Sequence, residues 1–466
     1  MKKQVSALLA AGMAASLLVG CGGGAASSSA APASTAESTT SEAAPAESTD
    51  GAAGQAADIT LWTYPIGKWG DSDSVNELLA DFNAQYPDIH VTVEYLDYTN
   101  GDDQVNTAIE GGSAPDLVME GPERLVANWG AKGLMADLSD LWTDEQKADF
   151  IEGYYEEGRQ YGDGLMYTMP FSKSTEVLYY DKTFFDANGI AVPTTWDEME
   201  QVCAKLKELD PQSIPLGYDS ESNWFITMCE QYNSPYTSAT GDHYLFNNET
   251  NRAFIKRFAE WYAKGYVTTQ KLYGAYTSGL FTATTGVRSY MSIGSSAGAK
   301  YQRPTANADG SYPFEVGIAT VPQVSADNQK VISQGPSVCL FKKGNPQEVV
   351  ASWLFVKYLI TNVEFQAEFS MASGYVPVLK SVAENEVYAD FLAKADGGNY
   401  IAALSAKVCL EQADAYYTSP AFVGSSTARD QVGALLSKCL TMSGADADAQ
   451  IEAAFEDAID ECEYAN

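Results

Sequence analysis

The chain is 466 residues long and carries 62 Asp and Glu against 28 Lys and Arg, a formal charge of −34. That balance excludes nucleic acid as a partner, because affinity for a phosphate backbone rests on clustered Lys and Arg. The chain has two histidines and no HExxH or GxSxG pattern, so Ser–His and Cys–His catalysis have no motif to use.

The first predicted element is an export signal over residues 1–20. Lys2 and Lys3 precede an apolar run from Val5 to Val19 that is too short to span a bilayer stably and suits a cleaved leader. Leu18-Val-Gly-Cys21 resembles the bacterial lipobox, in which the cysteine is acylated and becomes the mature N-terminus. The lipid would tether the chain outside the cytoplasmic membrane. The plainer alternative is an ordinary signal whose next residue happens to be Cys; Gly22-Gly23-Gly24 and the Ser/Ala/Thr tract favour the lipobox. Losing Lys2 and Lys3 takes the charge from −34 to −36. Residues 21–57 comprise Cys21 and a tract without one aromatic or branched aliphatic side chain, which reads as a disordered tether. Its reach is roughly 30–36 Å for about 36 flexible residues.

Past the tether the sequence alternates strands and helices. Asp58-Ile-Thr-Leu-Trp62 predicts a strand, Val75 to Tyr86 a helix stopped by Pro87, and Ile89 to Tyr95 a second strand. A helix over Gln104 to Glu110 leads through Ala114-Pro115-Asp116 to a third strand at Leu117-Val-Met119. This rhythm predicts an α/β lobe with a mainly parallel sheet, whose ligands settle beyond the carboxyl ends of the strands. A second block starts near Tyr167: a strand over Lys173 to Tyr180, a short helix from Thr183 to Asn188, and a helix opened by Thr195 as its cap. Helices over Arg252–Lys264 and Val349–Ile360 read as amphipathic; Ala402–Tyr416, Ala428–Leu440 and Asp446–Cys462 read as helical with less contrast.

The six cysteines after Cys21 show no CxxC and no zinc spacing, and both disulfides and buried free thiols remain open. Thr305 to Val316 misses a calcium loop at its first and twelfth positions and reads as a turn. No metal or other cofactor is implied. About 400 globular residues exceed one comfortable core and suggest two lobes.

Several segments together resemble the extracellular sugar-binding proteins of ABC importers, the relatives of the maltose-binding protein. They are Ile-Thr-Leu-Trp62, Ala-Pro-Asp116-Leu-Val, Gly133-Leu-Met-Ala-Asp-Leu138 and Asp163-Gly-Leu-Met-Tyr-Thr-Met-Pro-Phe171. Leu178-Tyr-Tyr-Asp-Lys182, Pro193-Thr-Thr-Trp-Asp-Glu198, Met291-Ser-Ile-Gly-Ser295 and Gly374-Tyr-Val-Pro377 follow in the same order. The resemblance implies an α/β, two-lobe, type II periplasmic-binding-protein-like fold with a hinge and an interlobe cleft. Carried onto this chain, lobe one covers 58–171 plus 319–371 and lobe two 172–318 plus 372–466.

A sugar cleft needs aromatic faces for the ring and paired polar groups for the hydroxyls. Four regions offer them. Trp62, Tyr64, Lys68 and Trp69 follow strand one in a Pro/Gly-broken loop, and Lys68 lies near a lysine used by maltose-binding relatives; Trp62 reads equally as the last core residue of its strand. Glu123-Arg124 aligns with an Asp-Arg pair that grips sugar hydroxyls in those relatives, or forms the exposed first turn of the next helix. Glu120 stands where they have a tryptophan, removing a stacking ring and adding charge. In the third region Trp224 is either the cleft aromatic of lobe two or core, beside Tyr290 and Ser295. The fourth holds Gly335, Tyr375 and Arg429, for which packing and surface roles stand equally open.

The sequence thus predicts a lipid-anchored, monomeric binding protein on the extracellular face of a Gram-positive membrane. It would capture a sugar or oligosaccharide and deliver it to the permease subunits of an ABC importer, with no catalysis. The alternatives are a polyol, glycerol-phosphate compound or cationic amine as ligand, and a secreted glycan hydrolase using two of the many carboxylates.

Overall fold

The computed structural model describes residues 56–466 except 71, 98–99, 239–240, 242, 396–399 and 465–466, and at positions 68 and 72 the backbone only. The leader, Cys21 and the tether lie outside the described residues.

Two sheets organise the rest. β1 (Ala57–Thr63), β2 (Ile89–Tyr95), β3 (Leu117–Glu120) and β4 (Thr168–Pro170) come first along the chain. They are followed by β5 (Ser174–Asp181), β6 (Leu216–Tyr218), β7 (Val267–Thr269), β8 (Met291–Ser295), β9 (Val316–Ala319) and β10 (Val331–Gln334). β11 (Ser337–Leu340) and β12 (Tyr416–Thr418) complete the set. The first sheet runs β2-β1-β3-β11-β4; the second runs β12-β10-β5-β8-β6-β7, with β9 paired to β5. β2, β1 and β3 are parallel, as their βαβ rhythm predicts, while β11 lies antiparallel to β3 and β4.

Local chemistry explains most of the elements. In β1, Ile59 and Leu61 are buried on one face while Asp58, Thr60 and Trp62 alternate to the other. The helix Ser72–Gln85 ends before Pro87, and Thr195 closes a reciprocal capping box with Glu198 on the helix Trp196–Leu209. Two expectations fail for tertiary reasons. The helix Pro346–Thr361 buries Ala351 to Val356 consecutively, so it is a core helix rather than an amphipathic one. The helix expected over 402–416 is Ile401–Glu411; Tyr416–Thr418 instead ladders against β10, where sheet pairing overrides helical preference.

The chain passes between sheets at Phe171–Lys173, again at Gly335-Pro336, and a third time between β11 and β12. The second passage falls later than the expected boundary at 319, because β9 and β10 are bonded to β5. Val376, Leu379, Ile401 and Val408 likewise join the core of the first sheet, although 372–466 was expected with the second lobe. That core is shared: Val177 and Tyr179 of β5 point into it, while Leu178 points into the core on the other face. Gly335 adopts φ +122°, and a Cβ there would stand 2.5 Å from the Ser172 carbonyl, so only glycine fits where the first two connections run side by side.

All six cysteines of the described residues are free and buried. Asn307 to Ser311 close a turn through the Gly310 N–H to Asn307 (2.9 Å) and the Asn307 N–H to Ser311 (2.7 Å). Among the described residues no helix is long and apolar enough to cross a membrane.

Candidate functional site

Parallel strands deliver side chains beyond their carboxyl ends, and β1 and β3 do so here. Tyr64, one residue past β1, donates its hydroxyl to Asp102 at 3.4 Å. Glu120 ends β3 at 2% exposure, and its Oε1 accepts the Gly121 N–H at 2.7 Å while Oε2 has no hydrogen-bond partner. Arg124 reaches back with Nη2 2.6 Å from Asp102 and Nε 3.7 Å from Glu120. Burial and the nearby Asp102 push the Glu120 carboxyl up to about 8, although Arg124 and the Gly121 N–H pull the other way. Burial disfavours the Arg124 charge, but Glu120 and Asp102 more than offset it and hold the guanidinium above its usual range.

The second sheet presents a matching group. Glu176 of β5, 1% exposed, accepts the Tyr218 hydroxyl at 2.6 Å. Asn223 donates to Gln334 at 2.7 Å and accepts from Arg429 at 2.6 Å, and Arg429 also donates to Ser419 at 2.9 Å. Burial raises the Glu176 carboxyl to about 8 against the opposing pull of Tyr218, Asn223 and Arg429.

The two groups meet at the start of the helix Ser425–Leu440. Ser425 donates its hydroxyl to the carbonyls of Glu123 (2.7 Å) and Arg124 (3.2 Å), and the Gly424 N–H donates to Asn128 at 3.1 Å. The Asp430 carboxyl, raised by burial, is pulled down by both Arg124 and Arg429. Beside this junction lies a cavity of about 610 Å³ lined by Tyr161, Tyr167, Gly241 and Phe422 among others. Behind it, Lys173 pairs with Glu157, both buried, and donates to the Gly335 carbonyl (3.3 Å) and the Ser337 hydroxyl (3.2 Å).

The structure therefore brings together Tyr64, Glu120, Glu123, Arg124 and, from the helix Ser425–Leu440, Arg429. Gly335 forms the floor of the passage between sheets, and Ser295 pairs with Glu176 across the strands while capping the turn that follows it. Trp62 lines a separate cavity of about 680 Å³ with Leu96 and Gln104, and Tyr375 packs on Phe369. The side chain of Lys68 lies outside the described residues. Three aromatic expectations are corrected. Trp69 is fully buried against Phe171 and Phe365, and Trp224 is fully buried, stacked 4.5 Å from Tyr218. Tyr290 is clamped between Phe184 and Arg288 and bonds Asp210, away from the junction. Large planar side chains gain more from a closed core than from a wet cleft.

Sequence reading missed Asp102, Glu157, Lys173, Glu176, Tyr218 and Asp430. A signal existed for two of them: Lys173 and Glu176 fall within the predicted strand Lys173 to Tyr180, and charged residues are seldom fully buried without a partner.

A family profile described as bacterial extracellular solute-binding protein matches residues 77–395. A lipoprotein of Streptomyces antibioticus is 32% identical over 138 residues, 28% of this chain and 30% of that protein. The substrate-binding protein Lmo0181 of Listeria monocytogenes, solved with cycloalternan, superposes with a TM-score of 0.71 at 18% identity, covering 88% of this chain and 99% of that one. UgpB of Mycobacterium tuberculosis, solved with glycerophosphocholine, gives a TM-score of 0.71 at 19% identity over the same shares. At such identities the likeness is one of fold.

Proposed function

The chain belongs to the bacterial extracellular solute-binding proteins, and from that premise we propose that it is the lipid-anchored capture component of an ABC importer, taking up a sugar or oligosaccharide. The observation that carries the reading is the facing of two polar groups, Tyr64, Asp102, Glu120 and Arg124 against Asn223, Gln334, Arg429 and Asp430, where two sheets meet at a double chain crossing. Buried amide, hydroxyl and charged groups converging from two bodies suit a molecule that offers many hydroxyls. Hinging at 171–173 and 335–336 would open and close the site, making the sheets and their helices the cores of two lobes.

In this role the carboxylates bind rather than catalyse, and the permease receives the ligand outside the cell. Cys21 would carry the lipid. A phosphate-bearing ligand fits less well, because the cations at the junction already face carboxylates. Thermal-shift titration of the whole chain against mono- and oligosaccharides tests the reading. A saturating sugar at a hundred times its Kd adds about 2.7 kcal/mol, a midpoint rise of a few degrees for a chain this long. Silence across all sugars, or turnover of a glycan, would overturn it.

A further inference from the structure

Resting on the solute-capture reading, we infer that the ligand is a polyhydroxylated molecule carrying a primary or secondary ammonium group, received by the carboxylates around Glu120. The first ground is charge. One guanidinium, Arg124, faces four carboxylates: Asp102, Glu120, Glu123 and Asp430. The other cations of the junction are engaged as well, Lys173 by Glu157 and Arg429 by Asn223 and Ser419, with Glu176 near Arg429. Lys271 also lies near Asp430, which Arg124 and Arg429 already face. Carboxyl groups thus outnumber the cation immediately around Arg124, where burial makes each unpaired charge costly.

The second ground is a single atom. Glu120 is 2% exposed and its Oε2 accepts no hydrogen bond, although Oε1 is satisfied by Gly121. A buried carboxylate oxygen without a donor is rare, and an N–H carrying positive charge is its strongest complement. That atom also selects among cations. A quaternary ammonium has no N–H and is held by aromatic faces, whereas Trp69 and Trp224 are locked in the two cores. The hydroxyls of the same ligand would meet the amides and hydroxyls of Asn223, Gln334, Ser419 and Tyr218. A neutral sugar would instead accept a hydrogen bond from Glu120 in its protonated form, whereas an ammonium would displace that proton.

Calorimetric titration of the whole chain in detergent separates these possibilities. The probes are chitosan tetrasaccharide, its fully N-acetylated counterpart, maltotetraose and glycerophosphocholine. We expect the amine to bind at least tenfold tighter than its acetylated twin and than the other two probes. Binding at about pH 5.5, where the probe's amines are charged and Glu120 still carries its proton, should release protons, read as a heat that changes with buffer ionisation enthalpy. Glu120→Gln keeps size and a neutral donor, and should lower amine affinity at least tenfold; Asp102→Asn serves if that variant misfolds. Equal or tighter binding of the acetylated or neutral tetrasaccharide, or of glycerophosphocholine, overturns the ammonium inference and leaves solute capture standing. Unchanged amine affinity in the folded Glu120→Gln variant does the same. No binding by any saccharide, charged or neutral, overturns both.

Discussion

Glu120 and Glu176 hold their protons at pH values where most carboxyls have lost them, since burial lifts both to about 8. In the unfolded chain each would titrate near 4.3. Below that value both states are protonated and neither group affects stability. Between about 4.3 and 8 the folded state binds more protons, so stability falls as pH rises, and above 8 the full penalty applies. The melting temperature of the apo protein should therefore decline from pH 5 to 8 at these positions, and Glu120→Gln should raise it at pH 8 while flattening the profile. A steeper decline in the variant would contradict the burial. Arg124 acts in the opposite sense on the same carboxyl, and its side chain is 37% exposed. Arg124→Ala should weaken binding of a neutral saccharide tenfold or more, about 1.4 kcal/mol, leave amine binding as tight or tighter, and move the apo midpoint little, since a partly exposed ion pair is strongly screened. A loss of apo stability matching the loss of affinity would assign Arg124 to the scaffold instead.

At the level of elements, what was legible in the sequence was periodicity and punctuation. Alternation gave β1 and β2, Pro87 gave a helix end, and Thr195 with Glu198 gave a cap that the structure forms. The illegible parts depend on what an element meets after folding. Nothing local ends the helix at Glu411; the ladder of β12 with β10 does, and the Gln412 side chain donates to the Glu176 carbonyl at 2.7 Å. The site was half legible for the same reason. Glu123-Arg124 is visible from its motif and Tyr64 from its loop, but Asp102 and Glu176 join only through tertiary contact. Trp224 shows the converse error, since aromatic content cannot say which rings a core will take. With Tyr218, Trp196 and Phe258 around its ring, Trp224→Ala should cost about 3–5 kcal/mol by chemical denaturation. A cost under 1 kcal/mol with lost ligand affinity would return it to the cleft.

At the scale of the whole molecule, two lobes that hinge need not melt as two domains. Cys21→Ala should release the chain from membranes while leaving ligand affinity unchanged, because Cys21 lies 43 residues ahead of Tyr64, the first group at the junction; retention in the membrane fraction would count against the lipobox. The globular part is tied more closely. One core takes Ile59 and Leu61 from the first sheet together with Val177, Tyr179, Val316 and Ile318 from the second. Lys173 fastens the passages: it pairs with Glu157, donates to Gly335 and Ser337, and its backbone bridges Val376. A shared core and a buried ion pair at the crossing make separate unfolding costly, since either half leaving would strand apolar surface and a charge of the other. Scanning calorimetry of the apo chain should show one transition whose calorimetric and van't Hoff enthalpies agree. Lys173→Met removes one partner of the pair and leaves Glu157 buried alone, at a cost of about 3–5 kcal/mol. It should lower that single midpoint without splitting it, whereas two resolved transitions in the native chain would mean that the crossings are linkers and that the shared core contributes little.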